Sequence, residues 1–367
     1  MKTEAKKYNA IKLLLGVTEE LITLILLLLI LALGYSNQIF GWAASISGND
    51  YIRMILFVVF LGLIIGLITF PISFYADYIL EHKYNLSNQT LGKWILEELK
   101  GLGVGAVIGL PVIIFFYFTL KEYPDLWWLI FALFMFIFSV ILAQVFPVII
   151  MPLFYKVVPY DNEELKNRIV ELGKGAGLNV ENIYTFDMSK NTKKANAAFT
   201  GLGKTKRIIL GDTLVQNFSN DEIETVIAHE LGHYKKKHII KNLAISTLSS
   251  FLIFYLINLL YRLSLPWFGF TNISDIPALP LIAVWGILIG LFTTPLTNAL
   301  SRKFEFEADE YSVKVTGKPE VFIDTLYKLN EQNLGDDSPG KFVEAYFYSH
   351  PSIKRRAEHI RKVMNAG

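Results

Sequence analysis

The sequence predicts a mainly α, polytopic membrane protein with a small cytosolic α/β subdomain. Three observations lead there. Of the 367 residues, 53% are hydrophobic and the mean hydropathy is +0.40, too apolar for an ordinary soluble chain. Six nearly charge-free apolar runs approach the roughly 20 residues that a spanning helix needs. Between the fourth and fifth runs lies a polar block, 156–241, where helix and strand signals alternate. The net charge of +2, with no long basic tract, gives nucleic-acid binding no electrostatic footing. Cysteine is absent, which excludes disulfides, thiolate nucleophiles and cysteine metal sites. Any metal must be held by His, Asp or Glu.

The apolar runs are Leu21–Asn49, Met54–Ala76, Gly101–Leu120, Leu126–Tyr155, Asn242–Tyr261 and Ile276–Ser301. If the first begins as early as Leu13, it contains Glu19 and Glu20, which then belong at an interface or toward a wet interior, because lipid exposure is costly. The glycines of "GLGVGAVIG" (Gly101, Gly105, Gly109) are four apart and read as a close helix-packing face rather than a dinucleotide loop. Pro147 and Pro152 predict a kink late in the fourth run. Lys2, Lys6, Lys7 and Lys12 precede the first span. The positive-inside rule then places the N-terminus, the 77–100 loop, the 156–241 block and everything from Arg302 in the cytosol, with the 264–275 loop outside. The chain divides into a four-span region 1–155, a cytosolic catalytic segment 156–241, a helix pair 242–301 and a C-terminal segment 302–367.

Within the polar block, "NEELKNRIVELGKGAGL" reads as an amphipathic helix ending at glycines. "NIYTF", "ANAAFTG" and "RIILGD" read as short strands, the last two forming a hairpin across "LGKTK". "SNDEIETVIAHELGHYKKKHIIKN" reads as a helix capped by Ser219 or Asn220, with Asp221 and Glu222 at its positive end, running on into the fifth span at Asn242.

That helix carries "HELGH", His229 to His233. Residues four apart lie about 40° apart on one helical face, so both imidazoles can hold one zinc. Glu230 lies on the flank, where a carboxylate can take a proton from an attacking water. His238 is nine residues from His229, about 180° round a continuous helix, and points away. The elongated three-histidine pattern is absent, with Lys236 and Ile239 at its positions. His238 is left with packing, or with orienting a ligand. A third ligand is available in "SRKFEFEADEY", Ser301 to Tyr311. If the sixth span continues as a helix, Asn298, Arg302, Glu305 and Asp309 share a face, within about 60° of Glu305. Glu307, about 200° away, faces solvent. Two histidines and Glu305 make a catalytic zinc set with an open fourth position, and Asp309, one turn on, suits orientation of a ligating histidine. Glu310 needs no role beyond solvation.

"VIAHELGHYKKKH", "LSRKFEFEAD", "LNEQNLG" and "YSHPSIKRRAEHI" follow one another, preceded by "KANAAFTG" and "RIILGDTL". In that order they resemble the motifs of the type-I CAAX prenyl endopeptidases, integral-membrane zinc proteases of the gluzincin kind. The resemblance runs from about Phe146 onward. Earlier it rests on layout and on "ISFYADYILEHKYNLSNQT". It implies one Zn2+ per chain, held by His229, His233 and Glu305, with Glu230 as general base. It implies about six to seven transmembrane helices enclosing a water-filled chamber. An edge strand, matched by Asn196 and Ala197, would pair with the substrate backbone. His350 and Arg356 match positions that flank the site and can stabilise an oxyanion. The implied substrate is a peptide or protein, cut near the C-terminus of a prenylated (CAAX-type) or other membrane-associated protein. The short link between "GDTL" and the metal helix, the six spans and the ending "VMNAG" point to a prokaryotic member in a bacterial or archaeal cell membrane, or the endoplasmic reticulum if eukaryotic. Two other readings stay open: a quality-control metalloprotease for membrane proteins, and a zinc-binding polytopic protein without hydrolysis. A transporter of that second kind should carry ionisable groups near mid-span, and beyond Glu19 and Glu20 there are none.

Overall fold

Residues 2–177, 183–201 and 207–366 are described by the computed structural model. Among these described residues, six helical segments are long and apolar enough to cross a membrane: Thr3–Ala32, Asp50–Lys83, Leu91–Glu122, Trp127–Phe154, His238–Phe268 and Ile276–Thr316. The first apolar run is not one helix. Helix α1 (Lys2–Ala32) stops at Gly34, whose φ of 73° lies where a residue with a Cβ is strained, and α2 (Tyr35–Ile46) restarts beyond it. At 12 residues, α2 reaches only about 18 Å, short of a bilayer core. Ser36 donates to the Pro277 carbonyl, fastening α2 to the turn that opens the last span.

Helix α3 (Asp50–Lys83) is capped by Asn49, whose side chain accepts from the Tyr51 and Ile52 amides. Helix α4 (Leu91–Glu122) starts at a Thr90 cap, ten residues before the apolar run. Its glycines do not form a packing face: a Cβ on Gly101, Gly105 or Gly109 would meet nothing within 4 Å. Glycine spacing permits close approach but does not supply a partner. Helix α5 (Trp127–Phe154) widens into a π turn at Phe146–Ile150, where Pro147 lacks the amide that an α-helical bond requires.

The polar block adds α6 (Glu163–Ala176), which ends at Gly177 with φ 79°. A four-stranded sheet follows the order β1 (Val157–Pro159), β2 (Ile183–Phe186), β4 (Arg207–Gly211), β3 (Ala197–Thr200). Strand β2 runs parallel to β4, while β3 pairs antiparallel with β4, Ala197 opposite Leu210. The expected pairing of the last two strands is present. Its connection "LGKTK" and Asn182 of "NIYTF" lie outside the described residues. Strand β1 carries no alternating pattern and was not expected. It pairs antiparallel with β2. Helices α7 (Asp212–Asn217) and α8 (Asn220–Lys235) pack on this sheet through Leu214, Ile223, Ile227 and Leu231, against Ile208 and Leu210 of β4 and Leu165 and Ile169 of α6.

The expected run of α8 into the membrane fails at its end. After Lys235 the chain passes through Lys236 and then Lys237, at φ 58°, and α9 (His238–Ser264) starts afresh. Helix α10 (Pro280–Thr316) is continuous from the last span into the polar region, as the phase argument for Glu305 requires. It is followed by α11 (Pro319–Gln332), α12 (Lys341–Phe347) and α13 (Ile353–Ala366). Hydrogen bonds lock the spans: Trp127 Nε1 donates to Asn258 at 2.7 Å, and Trp285 Nε1 to Ser264 at 2.9 Å. Ser73 donates to Glu19 at 2.8 Å, so one of the two early acids faces α3 and is only partly exposed.

Candidate active site

Helix α8 is fixed before its histidines are reached. Ser219 and Glu222 form a reciprocal capping box, leaving two fewer orphan donors at the helix start. Lys328 of α11 binds Glu222 at 2.8 Å, and Lys318 binds Asp221 at 2.7 Å and Glu224 at 2.8 Å. Helix α10 crosses α8 where Gly232 meets Ala308. A Cβ on Gly232 would lie 3.0 Å from both the Cα and the carbonyl oxygen of Ala308. Ser312 adds a hydrogen bond to the Thr225 carbonyl at 2.8 Å. These contacts bring Glu305 opposite the α8 histidines.

Nε2 of His229 and Nε2 of His233 are 3.2 Å apart. His229 Nε2 is 3.4 Å from Glu305 Oε2, and His233 Nε2 is 3.3 Å from Glu305 Oε1. The three ligand atoms lie within 4.8 Å of one another. Glu305 is 5% exposed, and its Oε2 is buried without a hydrogen bond of proper geometry. A buried carboxylate oxygen with nothing to accept is costly, and a bound cation would satisfy it. The local charge agrees. Glu230, Glu305 and Asp309 face one guanidinium, Arg356, so neutral histidines leave two negative charges uncompensated. Imidazole nitrogens and a carboxylate oxygen suit zinc.

Asp309 is fully buried and lies 2.9 Å from His229 Nδ1. Arg356 grips Asp309 through Nε at 2.9 Å and Nη2 at 2.5 Å, leaving Nη1 3.7 Å from Glu305 Oε2. Burial of His229 disfavours its imidazolium, but the Asp309 and Glu305 carboxylates outweigh it and raise the group to about 9. His233 Nδ1 is 3.0 Å from Nδ1 of His238, whose Nε2 is 3.0 Å from Glu307. Two expectations are thereby corrected. His238 does not point away, because the helix breaks at Lys237. Glu307 does not simply face solvent, because that break delivers His238 to it.

Glu230, Asn196, Ala197, His350 and Arg356 line one cleft of about 160 Å3 with His229 and Glu305. Its wall is the edge strand β3, paired only with β4 among the described residues. His350 sits at the rim, 65% exposed, with Nε2 3.5 Å from Glu305 Oε1. A larger recess of about 840 Å3, lined by residues including Arg168, Lys235 and Glu310, contains none of these groups.

Two sets of residues hold the cleft without having been singled out for it. Asn333 accepts from the Ala195 amide at 2.7 Å and donates to its carbonyl at 3.0 Å, clamping the start of the edge strand. It lies in "LNEQNLG", so the motif was visible but the role was not. Arg302 donates to the carbonyls of Glu344 and Tyr348, at 3.0 and 2.6 Å, and Asn298 to that of Tyr346 at 2.8 Å. Both share the face of Glu305, as the helical phase predicts, and they hold the segment that leads to His350.

An H-E-x-x-H helix crossed by a glutamate-bearing helix, inside a frame of six spans, defines an integral-membrane metallopeptidase. The chain belongs to peptidase family M48, whose family model matches residues 159–364. A second model, described as CAAX prenyl protease N-terminal with five membrane helices, matches 2–156. Helices α1 to α5 fall in that region. The chain is 32% identical over 366 residues to an "Uncharacterized metalloprotease YhfN" of Bacillus subtilis, covering 99% of this chain and 86% of that one. It is 36% identical to CAAX prenyl protease 1 of Saccharomyces cerevisiae, covering 81% and 70%. The crystal structure of S. mikatae Ste24p superposes with a TM-score of 0.87 at 28% identity, covering 98% of this chain and 88% of that one. The enzyme is thus a multi-pass membrane metalloendopeptidase, and its family implies a bound metal.

Proposed function

We propose that this enzyme is a zinc endopeptidase that cuts near the C-terminus of prenylated, CAAX-type proteins at the cytosolic membrane face. The observation that carries the reading is the convergence of His229, His233 and Glu305 on one point, in a cleft shared with Glu230 and a strand edge that is unpaired among the described residues. The name CAAX prenyl protease 1, borne by the yeast and human relatives, supports the substrate class. The meeting of the two family matches between 156 and 159 supports a catalytic part that begins after the fourth span.

When bound, a single zinc ion held by His229, His233 and Glu305 supplies Lewis acidity toward the scissile carbonyl and lowers the pKa of water. The protein's own groups do the rest. The free edge of β3, at Asn196 and Ala197, lays the substrate in as an added strand, which gives affinity with little side-chain selection. Glu230 takes the proton of the attacking water and returns it to the leaving amine, so that the C–N bond breaks without expelling an amide anion. His350 at the rim donates to the developing oxyanion. Arg356 assists through Nη1, since Nε and Nη2 hold Asp309 and Nη2 also lies 3.4 Å from His229 Nδ1, and Asp309 fixes the His229 ring through Nδ1–H.

The test uses purified, zinc-loaded protein and a farnesylated CAAX peptide beside its unfarnesylated twin. A buried isoprenoid is worth about 0.8 kcal/mol per carbon unit, so the farnesylated peptide should be cut at least ~10-fold faster. Glu230→Gln should keep its zinc and lose roughly 100-fold or more of the rate. Failure to cut the farnesylated peptide, with casein or a misfolded membrane protein still degraded, would transfer the assignment to quality control. The match to a bacterial metalloprotease across nearly the whole chain gives that outcome its standing.

A further inference from the structure

The break between α8 and α9 places a third histidine where a continuous helix would not. The helix breaks at Lys237, whose φ of 58° lies in a region that a side chain with a Cβ adopts reluctantly. The result is a line of three groups: His233 Nδ1 to His238 Nδ1 at 3.0 Å, then His238 Nε2 to Glu307 Oε2 at 3.0 Å. His238 is 1% exposed, and its ring stacks on Phe304 at 4.2 Å with 9° between planes. Burial and stacking hold the ring in this orientation. Glu307 lies on α10, two residues beyond Glu305, and Lys241 Nζ is 3.8 Å from the same carboxylate oxygen.

Proton placement along this line is dictated by chemistry. For His233 to offer the Nε2 lone pair to a cation, its proton must sit on Nδ1. Nδ1–H then donates to Nδ1 of His238, which must be the bare nitrogen. The proton of His238 therefore sits on Nε2 and is donated to Glu307. Only a carboxylate or another acceptor at the far end selects that tautomer; without one, a proton on His238 Nδ1 would face the proton on His233.

We propose that His238 and Glu307 are positioning residues that fix the tautomer and ring orientation of His233, as Asp309 does for His229. Each metal histidine is then oriented by a carboxylate of α10, one directly and one through an inserted imidazole. This inference rests on the assignment of His229, His233 and Glu305 as the ligands.

The experiment is zinc competition against a chelator with the full-length protein in detergent. Glu307→Ala should weaken zinc about 10- to 100-fold. Glu307→Gln, whose amide oxygen still accepts from Nε2–H, should lose less. The double variant Glu307→Ala/His238→Ala should bind zinc no more weakly than His238→Ala alone, because Glu307 acts only through His238. Cobalt-substituted Glu307→Ala should show altered visible bands at full occupancy. Zinc affinity of Glu307→Ala within about twofold of the wild type, with unaltered cobalt bands, overturns the proposal, as do losses that multiply in the double variant. If His238→Ala does not fold, the comparison of Glu307→Ala with Glu307→Gln decides alone, equal losses in the two going against the proposal. Glu305→Ala, run alongside, must lose its zinc; retention there would defeat the ligand assignment rather than the positioning role.

Discussion

His229 is buried between two carboxylates, and this sets how the site responds to pH. Burial opposes its imidazolium, yet Asp309 and Glu305 raise it to about 9 in the metal-free protein. Zinc needs the neutral ring, so uptake below that value displaces a proton. Zinc affinity should therefore climb about tenfold per pH unit up to pH 9 and flatten above it. Stability of the chelated protein runs the other way. The folded pKa lies above the unfolded value of about 6.5, so this contribution is complete below 6.5 and is lost as pH rises through 9. Chelator competition and melting curves between pH 6.5 and 9.5 check both slopes; a zinc affinity flat across that range would show that His229 carries no such proton. Helical phase put His229 beside His233 and Glu305 beside Asp309, because residues four apart on a helix meet whatever the fold does around them, while the pairing of the two helices rested on the H-E-x-x-H motif and the family resemblance. Glu307 was misread, since its partner arrives from another helix through a turn that has no glycine, proline or asparagine to announce it.

At the scale of elements, the site is two helices held at one crossing. Gly232 sits under both ligand rows, and the nearest neighbours of an added Cβ are backbone atoms of Ala308, which cannot swing aside. Gly232→Ala should destabilise the protein by about 1–3 kcal/mol and loosen zinc, because relief requires α10 to retreat from α8 with Glu305 on it. Gly105→Ala makes the matched control, since a Cβ there meets nothing within 4 Å and helix propensity favours alanine. Melting temperature and chelator resistance of the two variants test the difference; equal losses would undo the crossing argument. The sequence singles out only the spaced set in α4 as a packing face, and Gly232 carries no such signal. What separates them is the neighbour, which no local pattern contains. Gly34 hid for a related reason: one glycine inside an apolar run does not by itself end a helix, and only its left-handed backbone shows that it does.

Across the whole molecule, the membrane half and the catalytic half are joined by buried charge. Glu81 of α3 is 8% exposed and accepts from Tyr8 and Lys12 of α1 and from Lys194, just ahead of the edge strand. Asn9 donates to the Leu334 carbonyl beside the Asn333 clamp. Strand β3 is therefore braced from the first span, and its side of the membrane is the side of the α1 N-terminus. The proposed cytosolic placement of that side rests on lysine: Lys2, Lys6, Lys7 and Lys12 lead the first span, while the 264–275 loop has no lysine or arginine. The natural absence of cysteine makes the orientation directly measurable. Asn272 is exposed in that loop, and Glu163 is exposed at the start of α6 in the catalytic half. With a membrane-impermeant maleimide on intact cells, Asn272→Cys should be labelled and Glu163→Cys should not, until the membrane is opened. The reverse pattern would turn the molecule over, set the cleft on the outer face and remove prenylated cytosolic proteins as substrates, while leaving the metal chemistry as described.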